Sequence, residues 1–128
     1  MKKENTGKIK SFTDLIAWRR CHSLTLAIYK ATSAFPKEEM FTLTSQMRRA
    51  SVSTCSNIAE GFSRHSPKDR QHFYSMSLGS LTELQSQLLI ARDLGHIKEN
   101  GFKNLADMAI ECSKLLNGLI KKTKTLNS

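Results

Sequence analysis

Three short interruptions divide this chain of 128 residues into four segments of helical character. The first is Phe35-Pro36, because a proline cannot continue helical hydrogen bonding and disfavours helix in the residue before it. The second is Ser66-Pro67, which is typical of a capping serine with proline at the first helical position. The third is Gly95, a candidate for a helix C-cap. These signals predict helices over about residues 11–33, 42–63, 66–95 and 99–124.

The connections between these segments are short, and short connections favour antiparallel neighbours. Six Gly and two Pro are also too few for a turn-rich all-β domain. The first helix has its own start signal, since Ser11-Phe-Thr-Asp14 has the form of a capping box with Asp in the third position. We therefore predict an all-α protein, an antiparallel up-down-up-down four-helix bundle over residues 11–120. A basic N-terminal tail (1–10) and a basic C-terminal end (121–128) flank it.

The chain carries 20 Lys and Arg against 11 Asp and Glu, a formal charge of +9. Nucleic acid or another acidic surface is therefore the first partner to consider. The two ends hold most of this excess, since residues 1–10 contain four Lys and one Glu and residues 121–128 contain three Lys. A solvated basic surface is the alternative. The candidates for phosphate contacts without sequence readout are Arg19, Arg20, Arg48, Arg64, Lys68, Arg70, Lys121, Lys122 and Lys124.

The first helix has two apolar stripes on nearly opposite sides. One stripe comprises Leu15, Trp18, His22, Leu26 and Tyr29, and the other comprises Ala17, Cys21, Leu24, Ile28 and Ala31. A helix at the corner of a small bundle needs only one apolar face. We therefore predict self-association and take the second stripe as the candidate oligomer face. The alternative is a helix that buries both stripes within one chain.

A polar stripe runs along the second helix at heptad-like spacing. Its members are mostly short or amide side chains, unlike the Lys and Glu of a typical exposed face. They predict a hydrogen-bonded network in which Arg49 pairs with Glu60 or Glu83 and Asn57 ties helices together. A solvated polar face is the alternative. The predicted network comprises Gln46, Arg49, Ser53, Asn57, Glu60 and Glu83.

Motifs for catalysis are missing from the sequence. It has no phosphate-binding glycine loop, zinc-type spacing or nucleophile elbow, and its three Cys are odd in number and widely spaced, which fits a reducing compartment. It also has no apolar run long enough for a membrane span and no signal peptide at its N-terminus. We expect a cytoplasmic protein that is not an enzyme and has no cofactor, metal or membrane partner.

The motifs resemble those of the four-helix-bundle proteins named for intervening sequences in bacterial 23S ribosomal RNA genes, over about residues 12–120. The matching residues are Phe12-x-x-Leu15-x-x-Trp18, Phe35-Pro36, Gln46-Met-Arg-Arg49-Ala50, Ser53, Asn57-Ile-Ala-Glu-Gly61, Arg64, Gly79-Ser80-Leu81-x-Glu83 and Leu94-Gly95. The resemblance implies antiparallel four-helix bundles that assemble as pentameric rings, with no established enzyme activity. A related group, the accessory variability determinants of diversity-generating retroelements, is implied to be a basic pentamer that binds a reverse transcriptase and nucleic acid.

Three functions are consistent with these features. The first is a non-catalytic, ring-like homo-oligomer that acts as a scaffold for RNA or a nucleoprotein. The second is the accessory subunit of a retroelement reverse transcriptase. The third is a purely structural oligomer.

Overall fold

The computed structural model describes residues 8–127, which form four long helices and no strand. Short 3₁₀ turns at Phe12–Asp14 and Lys37–Glu39 precede the first and second of these helices. The four predicted helical segments are therefore confirmed, with small shifts at their ends. The helices are α1 (Ile16–Thr32), α2 (Leu43–Phe62), α3 (Pro67–Asp93) and α4 (Glu99–Asn127).

The predicted start and stop signals form hydrogen bonds of the expected kinds. Both partners of the Ser11–Asp14 capping box are present, but the box caps the 3₁₀ turn, so that α1 itself begins at Ile16. The hydroxyl of Ser66 accepts a hydrogen bond from the backbone N–H of Asp69 at 3.1 Å. Gly95 has a φ of 81°, a conformation that L side chains rarely adopt, and it ends the α3 segment as predicted.

Contacts between helices establish an up-down-up-down bundle. Consecutive helices pack against each other, and α1 also packs against α4. Between α2 and α3, the Arg49 guanidinium is 2.9 Å from the Glu83 carboxylate and the hydroxyls of Ser53 and Ser80 are 2.9 Å apart. Because residue numbers rise along α2 as they fall along α3, these two helices are antiparallel.

The core contains the stripe of α1 that we predicted to be the oligomer face. Ala17, Cys21, Leu24 and Ile28 are buried by the chain's own helices, and Ala31 packs against the same core. That prediction is wrong, because a side chain already covered within one copy cannot meet a second copy. The alternative, in which α1 buries both stripes, is also wrong. In the opposite stripe Leu26 is 58% exposed and Tyr29 is 42% exposed.

The predicted boundary at residue 120 is not a structural boundary. Helix α4 continues to Asn127, and Thr123 is only 5% exposed. Lys121, Lys122 and Lys124 therefore lie on a helix rather than on a separate end segment. Most of the predicted N-terminal tail, residues 1–7, lies outside the described residues, and residues 8–10 are exposed.

Candidate nucleic-acid interface

The antiparallel topology brings distant parts of the sequence to the same end of the bundle. The midpoint is marked by the Thr25 hydroxyl, 3.1 Å from the Ser51 carbonyl, and by the Ser53–Ser80 pair. On one side of this level α1 begins, α2 ends, α3 begins and α4 ends. We call this half, comprising residues 8–24, 54–78 and 109–127, the basic end.

Positive charge is concentrated at the basic end. It holds eleven Lys and Arg against four Asp and Glu, whereas the opposite half holds seven against six. The four acidic residues are Asp14, Glu60, Asp69 and Glu111. The eleven basic residues are Lys8, Lys10, Arg19, Arg20, Arg64, Lys68, Arg70, Lys114, Lys121, Lys122 and Lys124. Eight of the nine predicted phosphate-contacting residues are therefore at one end of the molecule.

The ninth candidate, Arg48, lies in the opposite half. Its Nε donates a hydrogen bond to the Thr32 hydroxyl at 2.9 Å, and its guanidinium lies 4.7 Å from the centre of the Tyr29 ring. These contacts join α2 to α1. Arg48 is therefore separated from the other eight candidates, because its position on α2 places it on the far side of the midpoint.

Ion pairs hold three of the arginines of the basic end in place. Arg19 lies 3.9 Å from the buried carboxylate of Asp14, and the other two pairs are more exposed. Arg20 pairs with Glu111 at 3.3 Å, and Arg64 pairs with Glu60 at 2.6 Å. Both pairs are about half exposed, and exposed pairs of this kind contribute only about 0–1 kcal/mol. A phosphate can therefore compete with these carboxylates at little energetic cost.

Backbone and aromatic contacts also orient the arginines of the basic end. The Nε of Arg19 donates to the carbonyl of Thr13 at 2.8 Å, and the Nε of Arg70 donates to the carbonyl of Arg64 at the same distance. The Arg64 guanidinium also lies 4.5 Å from the centre of the Phe73 ring. The arginines around the α2–α3 turn are therefore fixed in direction before any ligand binds.

The lysines of the basic end are differently placed. Lys68, Lys121, Lys122 and Lys124 are exposed, and none of them forms an ion pair within residues 8–127. The side chain of each of them faces water. These four side chains are the least compensated cations among the predicted candidates.

The predicted polar network is present only in part. Gln46 accepts from Arg49 at 2.7 Å, and Gln87, which we did not predict, donates to Glu83 at 3.1 Å. Of the two partners proposed for Arg49, the structure selects Glu83. Arg49 and Glu83 are 57% and 41% exposed, so this part of the network lies at the surface.

Asn57 and Glu60 do not take the predicted roles. The Asn57 amide donates to the carbonyl and hydroxyl of Ser53, at 3.0 and 3.1 Å, within its own helix. The prediction that Asn57 ties two helices together is therefore wrong, since the hydroxyls of Ser53 and Ser80 make that link. Glu60 pairs with Arg64 rather than with Arg49.

The three cysteines come together in the core, although they are far apart in sequence. A hydrogen bond with Cys112, followed by burial, raises the pKa of the Cys21 thiol, and burial raises the pKa of Cys55. The same hydrogen bond lowers the pKa of Cys112. Thiols held in the neutral form, as at Cys21 and Cys55, are poor nucleophiles. Within residues 8–127, no group of three or more potential ligands could hold a metal ion.

One hydrogen-bonded contact that was not predicted from the sequence joins the two connections of the opposite half. His96 Nε2 lies 3.0 Å from a carboxylate oxygen of Glu39, and the His96 ring lies 5.3 Å from that of Phe35. Hydrogen bonds from Thr42 and then from His96 lower the pKa of Glu39. The predicted antiparallel topology could have indicated this contact, because it places the α1–α2 and α3–α4 connections at the same end of the bundle.

Four antiparallel helices define an all-helical four-helix bundle. The chain belongs to the 23S rRNA-intervening sequence protein family, whose model matches residues 13–118. A crystal structure from Bacteroides thetaiotaomicron, of a protein of unknown function from the S23 ribosomal protein family, has the same fold. Its TM-score is 0.76 at 19% identity, over 83% of this chain and 96% of that one.

No curated protein sequence matches this chain. Among the described residues, no helix combines the length and the apolar character that are needed to cross a membrane.

Proposed function

We propose that this protein is a non-catalytic cytoplasmic scaffold that assembles into a ring-like homo-oligomer and binds RNA, or a nucleoprotein containing RNA, through its basic end. The observation that carries the proposal is the distribution of charge. This end holds eleven basic and four acidic residues, whereas the numbers of basic and acidic residues in the opposite half are nearly equal. Lys and Arg at such a surface bind phosphates by releasing counterions, without reading base sequence.

Exposed apolar side chains support assembly through the other half of the molecule. Eight of the twelve large, exposed hydrophobic residues lie there, and such concentrations mark interaction surfaces. If copies associate through this half, their basic ends lie side by side, and one RNA strand can then contact several copies at once. Such multivalent contact raises the overall affinity without any new kind of contact. The eight residues are Leu26, Tyr29, Met40, Phe41, Val52, Leu89, Ile90 and Leu94.

The test replaces Lys121, Lys122 and Lys124 with Gln and measures RNA affinity by fluorescence anisotropy over a range of salt concentrations. Each lost phosphate contact lowers the slope of log affinity against log salt by about 0.7 for a single strand. The triple variant should therefore lose about 2 from the slope, and it should bind most weakly relative to the wild type at low salt.

The matched control replaces three lysines of the opposite half, Lys30, Lys37 and Lys98, with Gln. It removes the same charge but should keep the affinity and salt slope closer to those of the wild type. Equal losses in the two variants would overturn the assignment to the basic end. A wild-type protein that binds no RNA at low salt would overturn the RNA proposal.

Mass measurements in solution, with and without RNA, separate this function from the other two. A purely structural oligomer assembles, but its mass does not change when RNA is added. A reverse transcriptase accessory subunit co-purifies with that enzyme. The proposed scaffold assembles alone and gains mass with RNA.

A further inference from the structure

We infer that the Phe41 side chain of one copy inserts into a groove between α3 and α4 of the next copy. Copies then associate side by side, each through two different surfaces. The inference rests on the proposed homo-oligomer and identifies the two surfaces that form its interface.

Phe41 has the properties of an interface anchor. It is 90% exposed, more than any other large hydrophobic residue that the structure describes. The turn that carries it is held in place, because Glu39 accepts a hydrogen bond from the Thr42 hydroxyl at 2.6 Å and lies 3.0 Å from His96. A turn that is already held in place loses little conformational entropy when the side chain it carries binds. Truncation of such an anchor is among the most costly changes in an interface.

The groove lies on the surface between α3 and α4. Its volume is about 150 Å³. An apolar cavity of about this volume is large enough to bind one benzene ring, so the groove matches the ring of one phenylalanine. The lining is apolar apart from one amide and comprises Gln85, Leu88, Leu89, Phe102, Ala106 and Ile110.

Phe41 and the groove lie at the same level along the bundle. The pairs Arg49–Glu83 and Ser53–Ser80 set the register between α2 and α3. Continuing this register places Leu43, the first residue of α2, level with about residue 89, and Phe41 lies in the turn just before it. A neighbouring copy therefore needs only a small shift along the axis to bring its Phe41 to the groove.

The two surfaces lie on opposite sides of the molecule, which favours a second copy as the occupant of the groove. Phe41 precedes α2 on the α1–α2 side, whereas the groove lies on the α3–α4 side, so the chain's own Phe41 cannot reach it. An interface between two different patches of identical chains is heterologous, and heterologous contacts form rings when the rotation closes.

Charges beside the two surfaces are complementary. Glu38 lies on the same turn as Phe41 and forms no ion pair within the described part of the chain. Beside the groove, the Arg92 guanidinium lies 4.8 Å from the centre of the Phe102 ring and pairs with the exposed carboxylate of Asp93 at 2.9 Å. Such an exposed pair contributes only about 0–1 kcal/mol, so Glu38 of one copy can replace Asp93 as the partner of Arg92 when Phe41 inserts into the next.

The test uses one variant for each side of the interface and measures mass in solution. Phe41→Ser removes the anchor and keeps the groove, whereas Ala106→Phe fills the groove and keeps the anchor. Each change should weaken self-association by about 30-fold, the loss that corresponds to a 2 kcal/mol anchor. When the two variants are mixed, Phe41 of the Ala106→Phe variant can still enter the groove of the Phe41→Ser variant. A 1:1 heterodimer should therefore form, and it cannot grow further.

Leu89→Lys serves as a second groove variant if Ala106→Phe alters the helical content. Ile16→Ser is the matched control, because Ile16 is 51% exposed at the basic end, and it should assemble like the wild type. Normal assembly of Phe41→Ser, or a mixture that forms no heterodimer, would overturn this inference but leave the proposed oligomer intact. A monomeric wild type would overturn both.

Discussion

Gly61 and Gly79 both lie inside helices, but only Gly61 is in close contact with a neighbouring helix. A Cβ added at Gly61 would lie 2.8 Å from the Tyr74 ring, whereas one added at Gly79 would have no atom within 4 Å. A glycine inside a helix is typical of close approach by another helix, but the sequence cannot separate the two positions, because the side chain that fills the space belongs to another helix. Gly79 is exposed, so no helix of the same chain approaches it closely.

Alanine substitutions at the two glycines should therefore have opposite effects. Gly61→Ala should lower the free energy of unfolding by about 1–3 kcal/mol, because the buried Tyr74 ring must move. Gly79→Ala should raise it by about 1 kcal/mol through better helix propensity. Denaturant unfolding at one fixed protein concentration measures both. Destabilisation by Gly79→Ala would indicate that this helix face is covered in the assembly.

At the scale of helices and connections, the Glu39–His96 pair gives a pH-dependent contribution to stability. The pKa of Glu39 is lowered in the folded protein. Its contribution is therefore present above the ordinary carboxyl pKa of about 4.3 and is lost as the pH falls through the folded value. Glu39→Gln should remove this contribution, so that melting temperature falls less steeply than in the wild type between about pH 5 and 3.

Glu38→Gln is the control for that experiment, because Glu38 is exposed on the same turn. Both variants are compared in a Phe41→Ser background, which removes the proposed contact of Glu38 with another copy. There, the melting temperature of Glu38→Gln should follow the pH profile of the reference protein. If Glu39→Gln also followed the reference profile, the Glu39 contacts would make no measurable contribution to stability.

The positions of the helices were predictable because their signals are local. Pro36, Pro67 and Gly95 act through the backbone geometry of a few residues, and each one ends or begins a helix as expected. The inward face of α1 was not predictable in the same way. Its two stripes are both apolar, and only the positions of the neighbouring helices decide that the stripe with Leu24 and Ile28 is buried.

At the scale of the whole molecule, the total charge can be counted from the sequence, but its arrangement in space cannot. Along the chain, most of the positive excess lies in the two terminal segments. The fold supplies the arrangement, since α4 carries Lys121 and Lys122 on a continuous helix to the same end as Arg64 and Lys68. This arrangement of charge depends on which helix ends lie together in the fold. No single stretch of sequence contains that information.

The uneven placement of charge also gives the molecule an electric dipole along its long axis. In the field of a polyanion such a dipole turns the molecule before contact, with its positive end leading. Charges that act at a distance mainly change the rate of association and its dependence on salt. The opposite, nearly neutral half is then kept away from the polyanion on approach, and its apolar side chains stay available to other copies of the chain.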